Sequence, residues 1–202
     1  MPGLMLCTLG RDGSADLSAG KAGAERLGLR WEGLRVEPGL VQEARERFSK
    51  ELEPLPPVTQ TVLLALALAI ELASPPRLVC GQGADELFLG YAHYRGLSAP
   101  DAERRSLEDL ARLRATDWPR TDQIAHVAGK IVVAPYLSAG FEEAALRVPV
   151  DLRLPGDAPK RFFREWAIGR GLPLELATRP KKAVQYGSGV DALVRELRRS
   201  GH

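Results

Sequence analysis

Cysteine is scarce in this 202-residue chain, which has only Cys7 and Cys80. Two thiols cannot make the disulfide framework of a small secreted domain. Both stand in apolar, strand-like runs, so we expect reduced structural thiols in a cytoplasmic protein. The longest uninterrupted apolar run, Val62 to Ile70, is far short of the ~20 residues that a bilayer needs. The start, MPGLMLCTLG, lacks the basic head, long apolar middle and small-residue cleavage site of a secretory signal. No membrane partner is expected. Charge of one sign is also lacking: 28 Lys and Arg against 26 Asp and Glu leave +2. A balance this mild excludes the usual electrostatic footprint of a nucleic-acid binder. The three histidines, His93, His126 and His202, are scattered and read as surface or structural. Repeats and low-complexity linkers are absent.

What is present fits a globular chain. Hydrophobic residues make up 45% and charged residues 27%, and a chain of this size buries roughly 70% of its unfolded surface without disulfides or metal. Gly3 to Leu9 reads as a strand closed by the turn Gly10-Arg11-Asp12-Gly13. Ser14 and Asp16 then start a helix that Gly28 ends. Leu34 to Glu37 is a brief strand signal, and Gly39 to Leu52 a polar, mostly exposed helix. Thr59 to Ala73 is a helix apolar on most sides, stopped by Pro75-Pro76. Arg77 to Cys80 reads as a short buried strand. Strands alternating with helices predict an α/β fold with a parallel sheet. Beyond residue 96 the pattern is helical: Asp101 to Ala115, Arg120 to Gly129, Ser138 to Arg147, Lys160 to Arg170 and Asp191 to Arg199. We expect one domain over 1–202, with a nucleotide-binding α/β half (1–96) and a helical half (97–202).

The densest chemistry lies in VCGQGADELFLGY, residues 79–91. Ligands of open α/β sheets sit outside the carboxyl ends of strands, and Cys80 is such an end. Gly81 and Gly83 allow close backbone approach and positive φ. Asp85 and Glu86 fall at a helix start, near its partial positive end. Successive helical residues point about 100° apart, so both acids cannot face one ligand. One would hold a cation on a phosphate, with the other bracing the loop. The plainer reading is that both only cap the helix.

LVCGQGADELFLGY resembles the S-G-D/E-G-A/S-D-E-L-F-G-G-Y signature of the asparagine synthase family, in its ATP-using synthetase domain. LCTLGRDGSADLSAGKAGAERLGL is similar to that family's second strand and following helix. Arg120, Asp122 and Pro135-Tyr136-Leu137 fall where it has R-x-D and P-F-L-D. Lys160 and Arg164 match its K-x-x-L-R segment, and RPKKAVQYGSG resembles its closing R-P-K element. The resemblance runs along nearly the whole chain.

The resemblance implies a PP-loop ATP-pyrophosphatase-like fold and an AMP-forming amide ligase. In such a ligase ATP activates the side-chain carboxylate of aspartate, and ammonia completes asparagine. It places Leu9 near adenine, and Cys80, Gly81 and Gly83 against nucleotide or substrate. Asp85 would hold Mg²⁺, which neutralises charge on pyrophosphate. Lys160 would stabilise charge developing around phosphorus, its plainer alternative being a solvated lysine at a helix start. Lys181, with Arg179 and Lys182, would line the pyrophosphate side, or else form a solvated basic turn. Glu86 would brace the loop.

Several departures qualify this picture. The family's S-G-G-x-D-S phosphate loop is absent, so we expect a chain lacking the first strand and its loop. Met1-Pro2 supplies no N-terminal cysteine, and we expect a stand-alone synthetase domain without a glutaminase domain. Nitrogen would then come as free ammonia or from another subunit, and an exposed sheet edge would favour self-association. Gln82 stands where a carboxylate is common. An amide is no general base, but it would orient ammonia or the activated acid. Cys80 replaces Ser, Ile131 and Val133 stand where Arg and Glu are common, and Ser138 replaces Asp. The alternatives are a non-catalytic relative and a PP-loop ligase with another substrate.

Overall fold

Local signals start and stop most elements where the sequence puts them. The computed structural model describes residues 3–154, 156, 159–180 and 182–200. Strand β1 (Met5–Gly10) leads into α1 (Ala15–Leu27). The Ser14 side chain accepts the Leu17 N–H at the start of α1, and Gly28 closes it in the left-handed region, φ 63°, where glycine carries no Cβ penalty. β2 (Arg30–Arg35), α2 (Pro38–Arg47), α3 (Ser49–Leu52), α4 (Pro57–Leu72) and β3 (Arg77–Val79) follow. Then come α5 (Ala84–Leu87), α6 (Ala99–Arg112), α7 (Trp118–Val127), β4 (Ile131–Val133), α8 (Ala139–Leu146) and α9 (Val150–Arg153). The last are α10 (Arg161–Gly169), α11 (Leu174–Ala177), α12 (Val184–Gly187) and α13 (Val190–Arg199).

The class is α/β, with short parallel strands and many helices. Among the described residues the strands form two separate two-stranded sheets rather than one. β1 and β2 run parallel, Met5 opposite Arg30 and Gly10 opposite Arg35. In the other sheet Ile131 N–H donates to Pro76 O and Cys80 N–H to Val133 O, a rising pattern that is also parallel. No described helix is long and apolar enough to cross a membrane.

Several expectations are corrected. β2 lies earlier than Leu34–Glu37, because its register is set by pairing with β1 rather than by its own composition. The helix expected over Gly39–Leu52 breaks at Phe48, and it is not mostly exposed: Val41, Ala44 and Phe48 are buried. β3 is not a buried strand, since Val79 is 68% exposed. The helix expected to end at Ala115 instead passes through a π turn, Leu113–Asp117, into α7. β4 was unforeseen. A three-residue apolar run is too short to distinguish strand from helix.

Two compact units emerge. The first takes the residues up to Arg77, Arg120–Ile131, and the residues from Pro180 on. In it α1 packs on β1 and β2, and α4 carries the apolar face Leu64, Ala67 and Leu68 inward. The second takes Leu78–Pro119 and Val132–Arg179. Its core gathers Leu87, Phe88, Leu110, Leu113 and Ala145 under a cluster of rings. Phe88 stacks on Phe163 at 4.3 Å, and Tyr136 meets Phe141 edge-on at 4.9 Å.

Candidate functional site

The loop after β3 is shaped by its glycines. Gly83 adopts φ 94°, and a Cβ there would lie 2.8 Å from Leu137 Cδ2 and 3.2 Å from Tyr136 Cβ. The Pro135-Tyr136-Leu137 turn therefore packs directly on the loop, and only glycine fits both the conformation and the space. Helix α5 is a single turn, Ala84–Leu87. Its two acids part company as their angular spacing requires.

Glu86 turns inward and is 4% exposed. Tyr91 Oη donates to its carboxylate at 2.7 Å, and Ser106 Oγ donates to its backbone carbonyl at 2.9 Å. Burial pushes its carboxyl above the ordinary range, partly opposed by the Tyr91 hydrogen bond. Asp85 turns the other way and lies over Gly90, where any Cβ would overlap its carboxylate. Lys160 Nζ stands 3.2 Å from Asp85 Oδ1, both side chains about four-fifths buried.

Lys160 precedes α10 with φ 57°, a left-handed conformation that costs a non-glycine residue about 1–3 kcal/mol. Arg164 holds the surrounding chain, donating to Pro159 O at 3.0 Å and to Ala177 O at 2.5 Å. Gln82 Oε1 accepts from the Cys80 thiol at 3.6 Å, and burial raises the Cys80 pKa. The thiol is therefore a structural donor rather than a nucleophile at neutral pH. Gly81 is exposed beside Tyr136. Cys80, Gly81, Gln82, Gly83, Asp85, Glu86 and Lys160 all belong to the second unit, whereas Leu9, 5% exposed at the end of β1, belongs to the first. Lys181 lies outside the described residues.

Two supports were not foreseen. Arg153 is 1% exposed; its Nη1 donates to Leu87 O at 3.0 Å and its Nε to Val148 O at 3.1 Å. A cation thereby fastens the C-terminal end of α5. Asp109, 2% exposed, accepts from Tyr94 Oη at 2.9 Å, lies 2.7 Å from His93 Nε2, and faces Arg105 and Arg112. Burial pushes its carboxyl up, but the Tyr94 and His93 hydrogen bonds and the two guanidiniums outweigh burial and lower it. Asp109 could have been found from its spacing. With Ala102, Ser106 and Leu110 it shares the buried face of α6. Arg153 gives no such signal.

Among the described residues, no three His, Cys, Asp or Glu side chains cluster as a ready-made metal cage. One carboxylate on a loop that exposes Gly81 suits Mg²⁺ carried by phosphates, since that ion keeps waters and takes one or two protein carboxylates.

Comparison with known proteins gives the family. The asparagine synthase family profile matches residues 95–200, just over half of the chain, a span that includes Lys160 but not the 79–91 loop. A Methanocaldococcus jannaschii protein provisionally named glutamine-hydrolysing asparagine synthetase 1 is 25% identical over 95% of this chain and 42% of its own length. The human glutamine-hydrolysing asparagine synthetase is 28% identical over 91% of this chain and 34% of its own. The rat enzyme is 33% identical over 53% of this chain and 20% of its own. The chain thus spans about two-fifths or less of the length of these relatives. From the match over half its length, the chain belongs to the asparagine synthase family.

Proposed function

We propose that this chain is the ATP-using part of an AMP-forming amide ligase of the asparagine synthase type, with aspartate as the acid activated and ammonia as the amine. The observation that carries this reading is the Asp85–Lys160 pair, 3.2 Å apart on a glycine-shaped loop at a strand end. ATP supplies the adenylyl group that activates a carboxylate. Asp85 is the proposed ligand for Mg²⁺ on the phosphates. Lys160, a compact point charge, would stabilise the negative charge that shifts to the leaving pyrophosphate. The backbone of Cys80, Gly81 and Gly83 is the proposed cradle, and Gln82 would orient the amine by hydrogen bonding. Leu9 is kept as the proposed adenine contact and Lys181 as a pyrophosphate contact, on sequence resemblance.

The fold is proposed to be of the PP-loop kind over 1–202. β1 has no described partner on its second edge, which is consistent with a sheet lacking a strand. A partner that supplies ammonia, or a second copy, belongs to the same proposal, as does a cytoplasmic setting.

Aspartate-dependent ATP–pyrophosphate exchange tests this reading, measured on this chain and on the longest in-frame product of its gene. Exchange is expected, and Asp85→Asn and Lys160→Ala should each lower it by at least 100-fold, about 2.7 kcal/mol of transition-state stabilisation. Survival of either variant removes that residue's role. No exchange in either chain leaves the non-catalytic reading, which Gln82 favours by standing where a base would.

A further inference from the structure

A second site lies in the first unit. α2, α3, α4 and α13 line an open cavity of about 390 Å³ that shares no residue with the 79–91 loop or Lys160. One side is apolar, formed by the buried Leu52, Leu64 and Val194. The rest is polar, with neutral Gln42, Ser49, Gln60 and Thr61 and charges in equal numbers: Arg45 and Arg198 against Glu46 and Glu53. Among the described residues neither arginine is held in an ion pair, and neither is Glu53. Gln42 Nε2 donates to Glu46 Oε1 at 2.7 Å, which leaves Gln42 Oε1 buried with no hydrogen-bond partner. Buried acceptors are satisfied almost everywhere in folded proteins, so one left open at a cavity calls for a donor.

The charges decide what that donor belongs to. Two guanidiniums without carboxylates suit an anionic group, which they grip by paired N–H donors. An open amide oxygen beside two glutamates suits an ammonium. A phosphate or nucleotide would satisfy the arginines but press excess negative charge on Glu46 and Glu53. A zwitterion satisfies both sets and adds no net charge. The volume is at the small end for ligand sites, and the mostly polar walls suit a small hydrophilic molecule with a short stem against Leu52, Leu64 and Val194.

We propose that this cavity binds a free α-amino acid, its carboxylate between Arg45 and Arg198 and its ammonium toward Gln42 Oε1 and Glu53. The site would let an amino acid act on the protein away from the loop chemistry, and it does not depend on the ligase reading.

The test is a titration of the ¹⁵N-labelled chain, without ATP, with glycine, asparagine, glutamine and aspartate, and separately with acetate, methylamine and inorganic phosphate. At least one amino acid should saturate at millimolar concentration and shift amides of α2, α4 and α13. Acetate and methylamine, each carrying half of the recognised chemistry, should bind at least tenfold more weakly. Arg45→Gln, Arg198→Gln and Gln42→Met should each weaken binding at least tenfold in variants whose circular dichroism matches the parent. The proposal is overturned if no amino acid saturates, if the shifted amides lie elsewhere, if phosphate binds as tightly, or if folded arginine variants bind unchanged. The wild-type shift map decides the site even if a variant fails to fold.

Discussion

Asp85 and Glu86 are sequence neighbours of one charge type that the fold treats in opposite ways. Asp85 meets a lysine, whereas Glu86 meets a phenol and the protein interior. The Glu86 pKa is raised by burial from its ordinary 4.5, so above that pH the folded protein holds a proton the unfolded chain has released. Stability from this residue is therefore full below about pH 4.5 and falls as pH rises through the folded pKa. Glu86→Gln keeps an acceptor for Tyr91 but cannot ionise. In urea titrations at several pH values from 4 to 7.5, the variant should gain stability relative to the parent as pH rises. A constant difference across that range would show that Glu86 does not titrate differently on folding. Asp109 acts in the opposite sense. Its lowered pKa contributes stability above its ordinary 3.8, and that contribution is lost as pH falls further.

Elements were legible where a local signal fixes them. Ser14 and Gly28 mark both ends of α1, and Pro57 and the Pro75-Pro76 pair bracket α4. The loop glycines and Asp85 suited either a ligand or a plain helix cap, and only the family signature around them favoured the ligand. Legibility failed where the cause lies far along the chain. β2 takes its register from β1, the Lys160 ammonium meets Asp85 from a distant stretch of chain, and Arg153 meets Leu87 across 66 residues. A subtler case is Gly20, in the middle of α1, which propensity alone would call a flaw. A Cβ there would overlap the Thr8 side chain, which also accepts the Trp31 indole N–H at 3.1 Å. Gly20 thus sets how closely α1 lies on β1. Gly20→Ala should gain about 1 kcal/mol of helix propensity and lose about 1–3 kcal/mol to overpacking. A net loss of about 1 kcal/mol in denaturant midpoint is expected, and a net gain would show that Thr8 yields freely.

At the scale of the molecule, the first unit is assembled from three separated stretches of chain, and the last of these completes its core. Val190, Leu193, Val194 and Leu197 on α13 are all buried, and α13 packs on α2 and α4. Arg11 N–H donates to the carbonyl of the fully buried Ser188 at 2.9 Å. A Cβ at Gly187 would overlap the Asp16 carboxylate, and one at Gly189 the Arg11 side chain. The Arg11–Glu196 ion pair adds little, because both side chains are about half exposed. The aliphatic residues decide the outcome. Each fully buried side chain of this kind is worth about 1.5–3 kcal/mol, so four amount to roughly 6–12 kcal/mol, comparable with the 5–15 kcal/mol that holds a typical domain folded. A chain ending at residue 183 should therefore lose its cooperative thermal transition and elute from gel filtration as aggregate, although the truncation leaves β1, β2 and the whole 79–91 loop in place. If the truncated chain stays monomeric and melts at the parent temperature, α13 is an ornament on the first unit rather than part of its core.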